Sequence, residues 1–260
     1  MVDDSVLSVD LNADGGESFG RWVLGADEEL APFITSINVA CGWHAGDAAT
    51  MVQSIKLART HDLGLGAHPG LPDLVGFGRR AMALSPLEAA QAVIYQTGAL
   101  RGLADQHGVP LRHVKPHGSL YGMLIKDDAI ADAVCDAVAE MDAGLSLFLE
   151  AGSCAQRQRE RGHRVVSEGF GDLEYTDEGH IIIDPDNQRR DPAWCADQVG
   201  RMLGGVLRST NGRENPVKVE SICLHSDRPG AVDNARAVVD RIRETGRSVR
   251  AIHAQEQEQP

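Results

Sequence analysis

Short β-rich runs alternate along the chain with stretches whose apolar residues recur at helical spacing. The β-rich runs are Val6 to Leu11, Ile34 to Val39, Leu63 to Ala67, His113 to Lys115, Leu145 to Phe148, Arg164 to Ser167, Ser221 to Leu224 and Ser248 to Ile252. The helical stretches are Ala48 to Thr60, Pro86 to His107, Asp127 to Met141, Cys154 to Arg161, Pro192 to Leu207 and Ala231 to Thr245. Strand followed by helix, repeated, predicts a parallel sheet with right-handed crossovers. About eight strands in ~250 residues fit one closed or nearly closed α/β barrel, with a doubly wound open sheet as the alternative. No linker or internal repeat divides the sequence, so residues 1–260 form one expected domain.

Local signals sharpen these boundaries. Asp47 precedes Ala48, Ser85-Pro86 is followed by Glu88, and Asp191-Pro192 repeats the pairing of a capping side chain with a first-turn proline. The stretch Leu173 to Ile183 carries two β-prone runs around a glycine turn, which predicts a hairpin excursion near residues 170–185. Ser209 to Lys218 has the polarity of a loop, and Gln255 to Pro260 that of a tail expected to be flexible.

Composition then narrows the classes of function. The chain has 260 residues and a formal net charge of −13, with 25 Lys plus Arg against 38 Asp plus Glu. That balance argues against nucleic acid, whose binding requires clustered cations to displace counterions. No apolar run approaches the ~20 residues that cross a bilayer, and the opening MVDDSVLSVDLN carries acid where a signal peptide carries cations. A cytoplasmic protein is expected. Cys41, Cys135, Cys154, Cys195 and Cys223 are scattered and odd in number, which suits a reducing compartment and excludes a cysteine-only zinc site.

Residues capable of chemistry fall just after the predicted strands. Asp10, Asn12, Asp14 and Glu17 follow the first, Asn38, His44 and Asp47 the second, and His68 the third. Lys115 and His117 follow the fourth, Glu168 and Asp172 the sixth, and His225 and Asp227 the seventh. In a parallel barrel these strand ends share one rim, where β/α enzymes place their sites. Three of the runs, GWHAGD, GAHPG and KPHGSLY, set a histidine beside glycine or proline, so the backbone approaches closely and the imidazole direction is fixed. Asp47 has a structural explanation as a helix cap. Asp10 sits on an otherwise apolar strand, where a carboxylate needs a cation or donors, and a buried Asp10–Lys115 ion pair is the structural alternative to a catalytic role.

These residues suggest Asp10 or Glu17 as a water-activating base, Lys115 and His117 as stabilisers of an oxyanion and leaving group, and His44 and His68 as orienting groups. Asn12, Asn38, Arg79, Asp172 and His225 are candidate substrate contacts, with Arg79 or Arg80 in GFGRRAM able to grip a carboxylate. The rival arrangement is a divalent metal on Asp10, His44, His68 and His117. His61, His107, His113, His163, His180 and His253 carry no such signal. Neither GxxxxGK, GxSxG nor HExxH occurs, so no ATP loop, serine-hydrolase elbow or common zinc-protease helix is visible.

The runs DLNADGGESFG (10–20), ITSINVACGWHAGD (34–47), GAHPGLPDLVGFGRR (66–80), YQTGAL (95–100) and VKPHGSLYG (114–122) resemble the LamB/YcsF family over about Val9 to Ile252. The resemblance implies a distorted β/α barrel of the glycoside hydrolase/deacetylase type. It also implies membership of an ATP-dependent 5-oxoprolinase, in which this chain opens the lactam ring of activated 5-oxoproline to glutamate. In that picture partner subunits B and C handle the ATP. The chain departs from the family's usual wording at Ala13 and Gly15, at Gly171 and Leu173, where an arginine-bearing FADR-like run is usual, and at Ser226. The readings left open beside it are a stand-alone metal-dependent deacetylase or lactam amidohydrolase, and a non-catalytic role in substrate delivery. All of them are compatible with a homo-oligomer.

Overall fold

A computed structural model describes residues 8–183 and 188–252. The chain runs β1 (Ser8–Gly15), α1 (Asp27–Leu30), β2 (Ser36–Ala40), α2 (Ala48–His61), β3 (Gly64–His68), α3 (Pro86–Gln106), β4 (Leu111–Val114), α4 (Gly118–Lys126), α5 (Asp128–Met141) and β5 (Ser146–Glu150). It continues through α6 (Ser153–Glu160), β6 (Val165–Phe170), β7 (Glu174–Tyr175), β8 (Ile181–Ile182), α7 (Pro192–Leu203), β9 (Val206–Arg208), β10 (Glu214–Pro216), β11 (Ser221–His225), α8 (Ala231–Glu244) and β12 (Ser248–Val249). The expected strand start at Val6 and Leu7, His253 and the tail Gln255 to Pro260 lie outside the described residues.

Strands β11, β6, β5, β4, β3, β2 and β1 form a parallel sheet that closes through the β11–β1 pairing, and β12 adds one strand beside β1. The barrel expectation therefore holds and the open-sheet alternative does not. β1 is shared along its length: Ser8 and Val9 pair with β12, while Asp10 to Asp14 pair with β11. The β1 sequence explains both faces, because side chains alternate across a strand. Val9, Leu11 and Ala13 join the apolar shell beneath the helices, while Asp10, Asn12 and Asp14 point into the barrel.

The barrel centre is thus polar, and its neighbours are shaped to fit. Asn38 on β2 sits opposite Gly66 on β3, and a Cβ at Gly66 would lie 2.0 Å from His113 Nε2. Only glycine leaves room for that imidazole to reach Asn38 Oδ1, 2.7 Å away. Helix starts follow the sequence signals: the Asp47 side chain accepts from Thr50 N, Ser85 and Glu88 form a reciprocal capping box, and Asp191 accepts from Ala193 N.

Some elements differ from expectation. Helix α4 has no counterpart among the predicted helices, because Gly118 and Gly122 dilute the local signal; burial of Leu120, Tyr121 and Leu124 on one face stabilises it. Helix α7 stops at Leu203, where Gly204 and Gly205 end it, the latter at φ +88°. The following Val206–Arg208 pairs antiparallel with Glu214–Pro216, so the expected polar loop contains one strand of a small ladder. The hairpin excursion is present as β7 and β8, turned through Gly179 at φ +88°. No described helix is long and apolar enough to cross a membrane.

Candidate active site at the barrel mouth

Three histidines from three strand ends meet at the carboxyl rim. The His44 and His117 rings stack with centroids 3.8 Å apart and an interplanar angle of 5°. His117 Nδ1 lies 3.0 Å from His68 Nε2, and Glu17 Oε1 lies 3.9 Å from His44 Nε2. Glycines make this density possible: a Cβ at Gly70 would sit 2.3 Å from His44 Nδ1, and one at Gly78 would press on both His44 and His117. Gly78 also adopts φ +64°, a conformation side-chain-bearing residues rarely take.

Hydrogen-bond partners fix two of the tautomers. A backbone carbonyl can only accept, so His68 Nδ1, 2.6 Å from Lys115 O, carries hydrogen and donates. His117 Nε2 donates in the same way to Phe77 O at 2.8 Å. The remaining nitrogens, His68 Nε2 and His117 Nδ1, face one another. Burial and the neighbouring His44 and His68 push His117 well below the ordinary histidine range, and burial together with His68 does the same to His44. Both ring nitrogens of His44 are buried with no hydrogen-bond partner among the described residues.

A second cluster lies against the first. Lys115 Nζ donates to Asp14 Oδ1 at 2.8 Å and to Cys223 Sγ at 2.9 Å, and stands 3.1 Å from Glu168 Oε1. Burial works against the ammonium, but Asp14, Cys223 and Glu168 hold its pKa well above the ordinary lysine value. Asp14 also stands 3.2 Å from His68 Nε2; despite burial, His68 and Lys115 keep it well below the usual carboxylate range. Asp172 accepts from both His225 N and His225 Nδ1 at 2.9 Å, which aims His225 Nε2 toward Asp14 Oδ2, 3.8 Å away. Burial opposes protonation of His225, yet Asp172 with Asp14 and Asp227 raises its pKa. Glu17 moves upward instead, through burial and the nearby Asp227 and Asp14.

A cavity of ≈ 40 Å³ opens on this arrangement, large enough for ordered water. Asp14, Lys115, His68, His117 and His225 form its polar side, Arg79 its rim, and Ile181 of the hairpin part of its apolar side. Arg79 stands 3.7 Å from Asp227 and its guanidinium lies over Phe77. Arg80 is committed to Asp73 by hydrogen bonds to both carboxylate oxygens.

The structure thus brings together Glu17, His44, His68, Lys115, His117, Arg79 and His225. It does not bring Asp10 to them. Asp10 lies deeper in the barrel, where Thr35, Ser36 and Ser221 hydroxyls donate to it, and burial raises its pKa to about 6. The Asp10–Lys115 pair is therefore replaced by Asp14–Lys115, one layer higher in the barrel, and it is Glu17, not Asp10, that groups with His44, His68 and His117 as a set able to hold a metal. Asn12 and Asn38 lie beneath the cavity: Asn38 Nδ2 donates to Asn12 Oδ1 and Asp14 Oδ1, while Asn12 Nδ2 donates to Glu168 Oε1. Asp172 is buried behind His225. These three position the rim groups and do not line the cavity. Sequence reasoning missed Tyr121, whose hydroxyl donates to Glu168 at 3.0 Å, and set aside His113. A usable signal for His113 was its place two residues before Lys115, on the same side of an extended segment.

Known proteins share this chain's sequence and fold. The LamB/YcsF family matches residues 9–257. A 5-oxoprolinase subunit of Pyrococcus furiosus is 43% identical over 244 residues, covering 92% of this chain and 96% of its own. The crystal structure of the lactam utilization protein from Thermus thermophilus superposes with a TM-score of 0.86 at 41% identity, covering 95% of this chain and 100% of that one. The peptidoglycan deacetylase PdaC from Bacillus subtilis shares the fold at TM-score 0.50 and 12% identity, covering 98% of this chain and 93% of its own.

Proposed function

This chain belongs to the LamB/YcsF family, and from that premise we propose that it is the hydrolytic subunit of an ATP-dependent 5-oxoprolinase, opening the lactam ring of activated 5-oxo-L-proline to L-glutamate. Its relatives are named as one subunit of a 5-oxoprolinase, which supports a multi-subunit assembly. The missing GxxxxGK loop supports assigning the ATP step to subunits B and C. The cytoplasm is the expected setting.

The observation that carries this reading is the convergence of three imidazoles, a buried ammonium and an ionised carboxylate on one small cavity. A lactam resists water because amide resonance protects the carbon and the nitrogen leaves poorly. Once the ring oxygen is activated by phosphorylation, water adds to the ring carbon, the C–N bond opens as nitrogen takes a proton to leave an acyl phosphate, and a second water releases phosphate to give glutamate. In the ion-free site His117, whose Nε2 donates to Phe77 O and whose pKa burial lowers, presents Nδ1 to accept the proton of the first water. Lys115, kept cationic by Asp14 and Glu168, stabilises the charge that builds on oxygen, with His225, whose pKa Asp172 raises, beside it. Arg79 at the rim receives the substrate carboxylate. The donor set of Glu17 and the three histidines also fits a divalent ion, which when bound supplies Lewis acidity and an acidified water.

The test is reconstitution with subunits B and C, ATP and 5-oxoproline, following glutamate. Lys115→Met is expected to lower glutamate formation by roughly 10²-fold or more while circular dichroism stays that of a folded barrel. A folded variant with the full wild-type rate overturns the assignment. Glutamate formation by B and C alone overturns the hydrolytic role of this chain.

A further inference from the structure

His44 is the unsatisfied member of the cluster: both of its ring nitrogens are buried without a hydrogen-bond partner among the described residues. His68 Nε2 and His117 Nδ1 lie 3.0 Å apart, each ring donating its other N–H to a backbone carbonyl on the far side. Buried polar atoms left without a partner are costly, and a cation that they ligate removes the cost. A ring whose outer N–H is donated to a backbone carbonyl is also the arrangement in which histidine binds metals. One ligand atom from each of Glu17, His44, His68 and His117 can be chosen so that all lie within 4.8 Å of one another.

Asp14, Cys223 and His225 make a second group of the same kind, likewise within 4.8 Å. It differs in one respect. Lys115 Nζ already touches Asp14 Oδ1 and Cys223 Sγ, so its positive charge stands where an ion would.

We propose that the barrel mouth is a two-cation centre in which Glu17, His44, His68 and His117 hold one exchangeable divalent ion and the fixed ammonium of Lys115 takes the place of a second. Three imidazoles and one carboxylate suit a zinc-like first-row transition ion over magnesium or calcium, which prefer oxygen donors. The three histidines come from different strand ends, so the ion joins the loops after β2, β3 and β4 to Glu17 after β1. The assignment holds whatever the substrate is, and its test does not require turnover.

The experiment uses the full chain, stripped with chelator and dialysed against zinc or cobalt(II), with metal counted by mass spectrometry and cobalt followed by its visible absorption. The wild type is expected to retain one ion per chain, with visible cobalt bands and a zinc-dependent rise in melting temperature. His44→Ala and Glu17→Gln, verified as folded by circular dichroism, are expected to weaken binding at least about tenfold. Lys115→Ala is expected to bind two, the second cobalt showing a near-ultraviolet thiolate charge-transfer band that disappears in Lys115→Ala/Cys223→Ser. If Lys115→Ala fails to fold without metal, recovery of the folded barrel with two equivalents of zinc gives the same answer. A folded wild type that retains no ion, or two, overturns the proposal, as does unchanged binding in His44→Ala or a single ion in Lys115→Ala.

Discussion

Asp10 and Asp14 stand four residues apart on the same side of β1 and meet opposite environments. Asp14 faces Lys115 and His68 and stays ionised, while Asp10 meets hydroxyl donors in a buried layer with the Glu168 carboxylate nearby, and desolvation raises it from 3.8 to about 6. The native state therefore keeps the Asp10 proton at a pH where the unfolded chain has lost it. The sign follows: this carboxyl favours folding fully below about pH 4, and its contribution, on the order of 3 kcal/mol, is lost as pH rises through about 6. Asp10→Asn removes that dependence. Urea unfolding of both proteins across this window is expected to show a stability difference that shifts in favour of the variant as pH rises; a difference that stays constant contradicts the assignment.

Among the elements, the β7–β8 hairpin is anchored on its β7 side by the buried Tyr175, whose hydroxyl accepts from Phe170 N, and on its β8 side by the buried Glu150. Glu150, the last residue of β5, accepts from Ile181 N at 2.7 Å and from His180 Nδ1 at 2.8 Å. Leu173, Ile181 and Ile183 thereby form the apolar side of the cavity. Glu150→Ala leaves the Ile181 amide without its acceptor, at a cost of about 1–3 kcal/mol. Amide exchange in residues 174–183 is expected to accelerate by roughly 10- to 100-fold, with much smaller changes in α3 or α5. Unchanged protection at Ile181 would show that the hairpin is held by something else.

For the molecule as a whole, barrel closure is the governing fact. The seam joins β1 to β11, so the first described strand is paired with one more than 200 residues later, as Asp10 opposite Ser221. Neither half of the sheet satisfies its edge strands without the other. The whole chain is accordingly expected to unfold in one step. Its tryptophans are well spread for the purpose, with Trp22 and Trp43 near the mouth and Trp194 in α7. Urea transitions followed by tryptophan fluorescence and by far-ultraviolet circular dichroism should share one midpoint. Two separated midpoints would divide the chain into independent units.

The sequence alone determined the alternation of strands and helices, the capped starts of α2, α3 and α7, the family, and the rim positions of His44, His68 and His117. Those features are written in local spacing, in capping residues and in contiguous runs such as GWHAGD and KPHGSLY. Tertiary structure alone decided that Asp14, not Asp10, meets Lys115, that Glu17 joins the histidines, and that Asp172 stands behind His225. It also decided helix α4 and the β9–β10 ladder, whose own residues signal weakly and gain their stability from what they pack or pair with. The reason is that periodicity fixes which side of a strand a residue occupies, whereas its depth in the barrel, and so its partner, is set by the stagger between strands.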